Sequence, residues 1–429
     1  MTRLGVLFLL CIAVVAGRDG IGPGDQDWGY YEVRPGAHMF YWLYHTMASS
    51  ERPLVIWLQG GPGASSTGYG NFEEMGVVDV YLKERNTSWV KEVNVLFIDN
   101  PVGTGFSYVK STSLLTKNNK EIATDLVNFT RQFINEYPEF RTTPLYIFSE
   151  SYGGKMAAEF GLYLQKDIEA GNVQVNLKGV GLGDSWISPI DSVLTWAPFL
   201  LYTGVVDYEG ARNIHESAQK TQKAVESQQW SQATDLWGET EFVISEETYG
   251  VDFYNILYKV SSYRRQSKPA DMLRYLYERH VLRDDDAALD ALMNGPVKEK
   301  LGIPSGVTWG GQSGAVFASL GEDFMKPVTD IVERLLNETS LDVVVFSGQL
   351  DLIVDTPGTV DWVQRLQWSG ADGWRKGSRD PLTVNGVVEG YVKRNGHLTF
   401  YWINRAGHMV PTDNPNAGLE MLRQVTHYK

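Results

Sequence analysis

The serine with the most telling surroundings in this 429-residue chain is Ser151. Residues 145–155 read LYIFSESYGGK, a β-type apolar run that passes through Ser149-Glu150-Ser151-Tyr152-Gly153 into a helical stretch. A serine on so sharp a strand-to-helix turn has its hydroxyl lifted clear of both elements. Such a turn needs small neighbours where the two backbones approach. The usual spacing is Gly-x-Ser-x-Gly, and Ser149 stands at the first position here. Taken alone, the stretch is equally compatible with an ordinary polar turn.

A serine hydroxyl becomes a useful nucleophile only when a base takes its proton and a third group orients that base. The histidines are His38, His45, His215, His280, His397, His408 and His427. His408 is best placed, in Ala406-Gly407-His408-Met409-Val410-Pro411, directly after the apolar run Leu398 to Ile403; His397 precedes that run and is the alternative. For the orienting acid, Val343 to Phe346 leads through Ser347-Gly348-Gln349-Leu350 to Asp351, with Asp355 a close competitor. Trp57 to Ser66, WLQGGPGASS, is a strand opening into a glycine-rich loop that exposes backbone N–H groups. It lacks the lysine of a phosphate-binding loop.

The elements that must carry these residues follow from hydrophobic pattern. Leu54 to Leu58, Val93 to Ile98, Leu145 to Phe148, Leu177 to Leu182, Val343 to Phe346 and Leu398 to Ile403 read as buried strands. Helical patterns at Lys120 to Tyr137, Gly154 to Ile168, Phe324 to Leu336 and Thr359 to Trp368 alternate with them, which predicts crossover-connected parallel strands. Trp28 to Tyr44, broken by Pro35-Gly36, predicts an edge hairpin, and residues 186–311 read as a helical insertion with helices at Tyr208 to Trp230 and Lys268 to Asn294. The chain order Ser, Asp, His is that of the α/β-hydrolase fold. The expectation is an α/β protein of that kind: a central, mostly parallel sheet flanked by helices, divided as a signal peptide at 1–17, core at 18–185, helical cap at 186–311 and core at 312–429. In such a fold the oxyanion donors are the amides of Gly61 and Tyr152.

Composition limits the alternatives. Acidic residues outnumber basic ones, 52 to 38, which argues against nucleic acid or an anionic membrane as the main partner. Arg3 followed by the apolar run Leu4 to Val15 and then Ala16-Gly17 predicts a cleaved signal peptide, too short for a membrane anchor. The one cysteine, Cys11, lies within it, so the mature chain is expected to hold neither disulfide, cysteine nucleophile nor thiolate metal site. Sequons at Asn86, Asn128 and Asn337 fit passage through a glycosylating compartment.

Five ordered segments, WLQGGPGASS, DNPVGTGFSY, SESYGG, GQLD and AGHMVP, resemble the successive signatures of the serine carboxypeptidase family, over nearly the whole mature chain. The resemblance implies a triad of Ser151, Asp351 and His408 acting on peptide or protein C-termini in the secretory pathway, secreted or lysosomal, with no cofactor or metal. It also implies recognition of the substrate's free carboxylate by Gln59, Glu150 and Glu74, the last favoured over Glu73 by register. Carboxyl groups bind a carboxylate only when some are protonated, so activity is expected to favour acidic pH. The sequence departs from the family pattern at Gln59 for Asn, Ala64 for Cys, Ser149 for Gly and Gln349 for Asp. Gln59 is longer by a methylene, and a misplacement of about 1 Å in a positioning group costs roughly a hundredfold in rate. An acyltransferase or esterase on the same scaffold, or a weakly active glycosylated binding protein, are the competing readings.

Overall fold

The computed structural model describes residues 17–48, 51–259, 269, 272, 276, 287–310 and 313–426. Most of the expected signal segment, and most of the helix expected at Lys268 to Asn294, lie outside these residues; within them, Ala287–Leu292 is helical.

One twelve-stranded sheet runs through the described residues: β1 (Arg18–Asp19), β2 (Asp25–Arg34), β3 (Ala37–Tyr44), β4 (Leu54–Leu58), β5 (Asn94–Ile98), β6 (Tyr108–Val109), β7 (Pro144–Glu150), β8 (Asn176–Gly183), β9 (Asp342–Gly348), β10 (Asp380–Val384), β11 (Val387–Asn395) and β12 (Leu398–Ile403). Their spatial order is β1-β2-β3-β5-β4-β7-β8-β9-β12-β11-β10, with β6 beside β3. From β5 across to β12 every pairing is parallel, and these are the strands expected from the apolar runs. The outer strands pair antiparallel.

The parallel strands are apolar throughout because both faces are covered. Along β4, Leu54, Ile56 and Leu58 enter one core while Val55 and Trp57 enter the other; β7 divides in the same way between Leu145 and Ile147 on one side and Tyr146 and Phe148 on the other. On the first side pack α1 (Asn119–Glu136) and α2 (Tyr152–Glu169), with α3 (Pro189–Tyr202) beyond them. The second side is rich in aromatics, with the rings of Trp57 and Phe148 each edge-on to Trp89.

After α3 come α4 (Tyr208–Glu226) and α5 (Trp230–Thr248), and the later core carries α6 (Thr329–Glu338), α7 (Thr356–Arg365) and α8 (Pro415–Thr426). Two expected helices are each divided. Tyr208 to Trp230 is interrupted where Gln228 takes φ 55°, and α5 starts afresh at Trp230. Phe324 to Leu336 is interrupted at Pro327, which has no N–H to donate; a short turn ends at Phe324 and α6 begins at Thr329. The β10–β11 hairpin was not anticipated, because charged and polar residues break up the apolar ones along both strands. Its turn is Asn385-Gly386, both at positive φ, and that dipeptide was the legible signal.

Gln59, Ser151, Asp184, Asp351 and His408 all follow the C-terminal ends of parallel strands (β4, β7, β8, β9 and β12), the edge where open α/β sheets bind ligands.

Candidate active site

Ser151 joins β7 to α2 at φ 60°, ψ −130°, a conformation that side-chain-bearing residues seldom adopt. Its amide donates to the carbonyls of Gly183 (3.0 Å) and Asp184 (3.1 Å), which ties the turn to the end of β8. The glycine requirement is steric: a Cβ at Gly60 would lie 2.5 Å from the Ser151 Cβ, and one at Gly153 would lie 2.4 Å from the Leu58 carbonyl. Ser149 fits at the first position because its buried hydroxyl donates to the Gly181 carbonyl at 2.7 Å.

His408 is buried, and its Nδ1 lies 2.9 Å from Asp351 Oδ2. Its backbone N–H donates to the Tyr254 carbonyl at 2.7 Å, and the Tyr254 ring stands edge-on to the imidazole at 5.3 Å. The Gly407 amide and the Asn255 side chain both donate to Asp413, so residues from the expected cap stretch hold the histidine loop. Geometry also separates the competitors. Asp355 points to Thr195, whose hydroxyl donates to it at 2.8 Å, while His397 sits at the opposite end of the strands, 3.6 Å from Asp342.

Ser151, His408, Gln59, Gly61, Glu74 and Glu150 line one cleft. The Tyr152 amide is the first of α2, where no intrahelical acceptor exists, and Gly61 is in the loop across from it at φ 105°. The Tyr152 side chain turns inward, and its hydroxyl donates to Asp323 at 2.7 Å.

The Gln59 amide nitrogen donates to Glu74 Oε1 and to Glu150 Oε1, each at 2.9 Å, and its oxygen accepts the Trp57 indole N–H at 2.7 Å. The extra methylene relative to asparagine is thus braced by Trp57. Glu74 reaches the cluster from a π-helical turn, Ser66–Met75, whereas Glu73 remains partly exposed at the cleft. Glu74 Oε2 and Glu150 Oε2 are buried, and the two carboxyls lie within hydrogen-bonding reach of one another. Burial, then the charge of Glu74, pushes the Glu150 carboxyl well above the usual range, and burial raises Glu74 as well. Adjacent buried carboxyls disfavour double ionisation, which raises the proton affinity of the pair.

One residue of the site was not singled out from sequence. Asp184, fully buried at φ 39°, accepts the Gly348 amide at 2.7 Å through Oδ1, and its carboxyl hydrogen-bonds that of Asp351. Burial first, and the Asp351 charge second, hold Asp184 well above the ordinary carboxylate range. Ionised, it would leave Oδ2 orphaned in the core; protonated, it is a donor to Asp351. Its signal was the one that identified Asp351, an acid just past a β-type run.

The remaining cleft wall is apolar: Trp186, Trp237, Tyr254, Phe317, Phe324, Ile353 and Met409. Trp186, Trp237 and Tyr254 come from the expected cap stretch. Among the sequons, Asn86 is exposed; Asn128 is half-buried on α1 with its amide donating to the Val33 carbonyl; and Asn337 is exposed, donating to the Glu333 and Gln367 carbonyls. Among the described residues, no helix is long and apolar enough to cross a membrane.

Known proteins resemble this chain over most of its length. The family model described as serine carboxypeptidase matches residues 19–428. The chain is 47% identical to the retinoid-inducible serine carboxypeptidase of Rattus norvegicus, covering 94% of this chain and 92% of the relative, and 46% identical to that of Homo sapiens at the same coverage. It is 39% identical to serine carboxypeptidase-like 51 of Arabidopsis thaliana, again over 94% of this chain. Among solved structures, a prohormone-processing carboxypeptidase from Saccharomyces cerevisiae superposes with a TM-score of 0.79, at 22% identity, over 94% of this chain and 91% of that one; at that identity the likeness speaks for the fold. A matching family model over nearly every residue, and relatives near half identity along the same span, lead to one conclusion: this chain belongs to the serine carboxypeptidase family.

Proposed function

We propose that the chain removes C-terminal residues from peptides, with Ser151 as nucleophile, His408 as base and then acid, and Asp351 as the group that fixes the imidazole. Proton transfer from Ser151 to His408 accompanies attack on the scissile carbonyl, and the resulting oxyanion is met by the amides of Gly61 and Tyr152. The same proton passes from His408 to the departing amine, leaving an ester on Ser151. Water, deprotonated by His408, releases the acid and restores the hydroxyl. The observation that carries the exopeptidase reading is the Gln59–Glu74–Glu150 cluster beside Ser151, since a buried, proton-holding carboxyl pair offers donors to a carboxylate. The aromatic wall suits apolar side chains flanking the bond. Asn86 has the surroundings best suited to a glycan, in keeping with a secretory-pathway protein.

The test is a matched pair of peptides with free and amidated C-termini, assayed from acidic to neutral pH. The free acid is expected to be cleaved preferentially and the preference to fade as pH rises, because Glu150 loses its proton and then repels the substrate carboxylate. Equal cleavage of both peptides would remove the cluster from substrate recognition.

A further inference from the structure

A second cavity of about 420 Å³ lies away from the catalytic cleft, between α7, the short helix Ala371–Lys376 and the strands β11 and β12. Its size is within the ordinary range for small-molecule sites. The lining contains cations and donors but no carboxylate, in a chain where acids exceed bases by 52 to 38.

Lys393 is only 8% exposed, and its Nζ lies 4.8 Å from the centroid of the Trp374 ring. Lysines so largely covered are ordinarily paired with an acid, and Lys393 has no such partner among the described residues. Burial accordingly holds Lys393 below its ordinary pKa. Trp374 is 2% exposed, and its indole N–H is buried with no acceptor among the described residues. Arg379, at the rim, lies over the Tyr391 ring at 4.1 Å and the Trp402 ring at 5.6 Å, and no acid pairs with it among the described residues. Phe400 and Trp402, stacked with centroids 4.0 Å apart and planes within 13°, give the cavity an aromatic side.

The cavity thus presents an ammonium and a guanidinium with no acid among its lining residues, a set that complements an anion. The stacked rings give that anion's body an apolar surface to cover. We propose that this cavity is a binding site for a small organic carboxylate with an apolar or aromatic body, its carboxylate held by Lys393 and Arg379 and its body laid against Phe400 and Trp402. The absence of a lining acid disfavours free amino acids, whose ammonium would find no partner.

The experiment is calorimetric titration of the full chain with 3-phenylpropionate, its uncharged amide, phenylalanine and inorganic phosphate. The acid is expected to bind at least tenfold more tightly than the amide, phenylalanine or phosphate. Lys393→Met and Arg379→Gln, neither of which touches the catalytic cleft, are each expected to weaken it tenfold or more while peptide hydrolysis is unchanged. Arg379 is exposed, so that variant separates loss of binding from loss of folding. Binding of the acid that is undetectable, is matched by the amide or by phosphate, or persists in both variants would overturn the proposal. Persistence in both variants would locate the ligand in the catalytic cleft instead.

Discussion

Two pairs of buried acids lie around the Ser151 turn, and they differ in their access to solvent. Glu74 and Glu150 both accept from the Gln59 amide nitrogen and line the open cleft. Asp184 and Asp351 sit behind the histidine, sealed from solvent. Burial and mutual repulsion raise the proton affinity of each pair. The first pair, protonated, can give a hydrogen bond to a ligand. The second is closed off from any ligand, and one of its oxygens lies 2.9 Å from His408 Nδ1. One piece of electrostatics thus serves recognition where the wall is open and positioning where it is closed.

The comparison can be broken most severely at Asp351. Asp351→Asn keeps the shape but removes the charge that holds the imidazole, and kcat is expected to fall about ten-thousandfold, the size seen for such a change in an unrelated triad. Retention of most activity in steady-state assays would show that Asp351 does not orient His408. At the open pair, Glu150→Ala is expected to lower kcat/KM for free-acid peptides about ten- to a hundredfold while leaving amidated peptides little changed. Glu150→Gln, an uncharged donor at every pH, should flatten the loss of free-acid preference as pH rises; a pH profile identical to that of wild type would sink the shared-proton account.

The sealed pair should respond less. Asp184→Asn keeps a donor to Asp351 and is expected to retain activity within about tenfold, whereas Asp184→Leu should lose more, chiefly in kcat, because the Asp351 oxygen is left unsatisfied. Equal activity of the two would make Asp184 merely structural.

The smallest effect concerns stability. Glu150 and Asp184 have folded-state pKa values raised above their unfolded values, so their contribution is complete at acidic pH, below the ordinary carboxylate range, and is lost as pH rises through the raised values. Thermal melts of Glu150→Gln combined with Asp184→Asn should therefore decline less with rising pH than those of wild type. Parallel curves would show that neither proton is retained.

Much of this was legible from local pattern. The parallel strands carry apolar runs because both faces are buried, and the SESYGG turn, the glycine-rich loop and AGHMVP each encode a backbone shape within a few residues. Sequence alone therefore determined the hydrolase sheet, the serine turn and the short roster of acids and histidines from which a base and its partner could come. Which of Asp351 and Asp355 meets His408, which glutamate faces Gln59, and that Asp184 stands behind the pair were decided only when distant strand ends met at one edge of the sheet. The same holds for the cavity around Lys393, whose donors come from separate segments with no shared motif. The physical reason is one of range. Turn chemistry and side-chain alternation act over a few residues, while the proton affinity of a buried acid is set by what tertiary packing puts beside it.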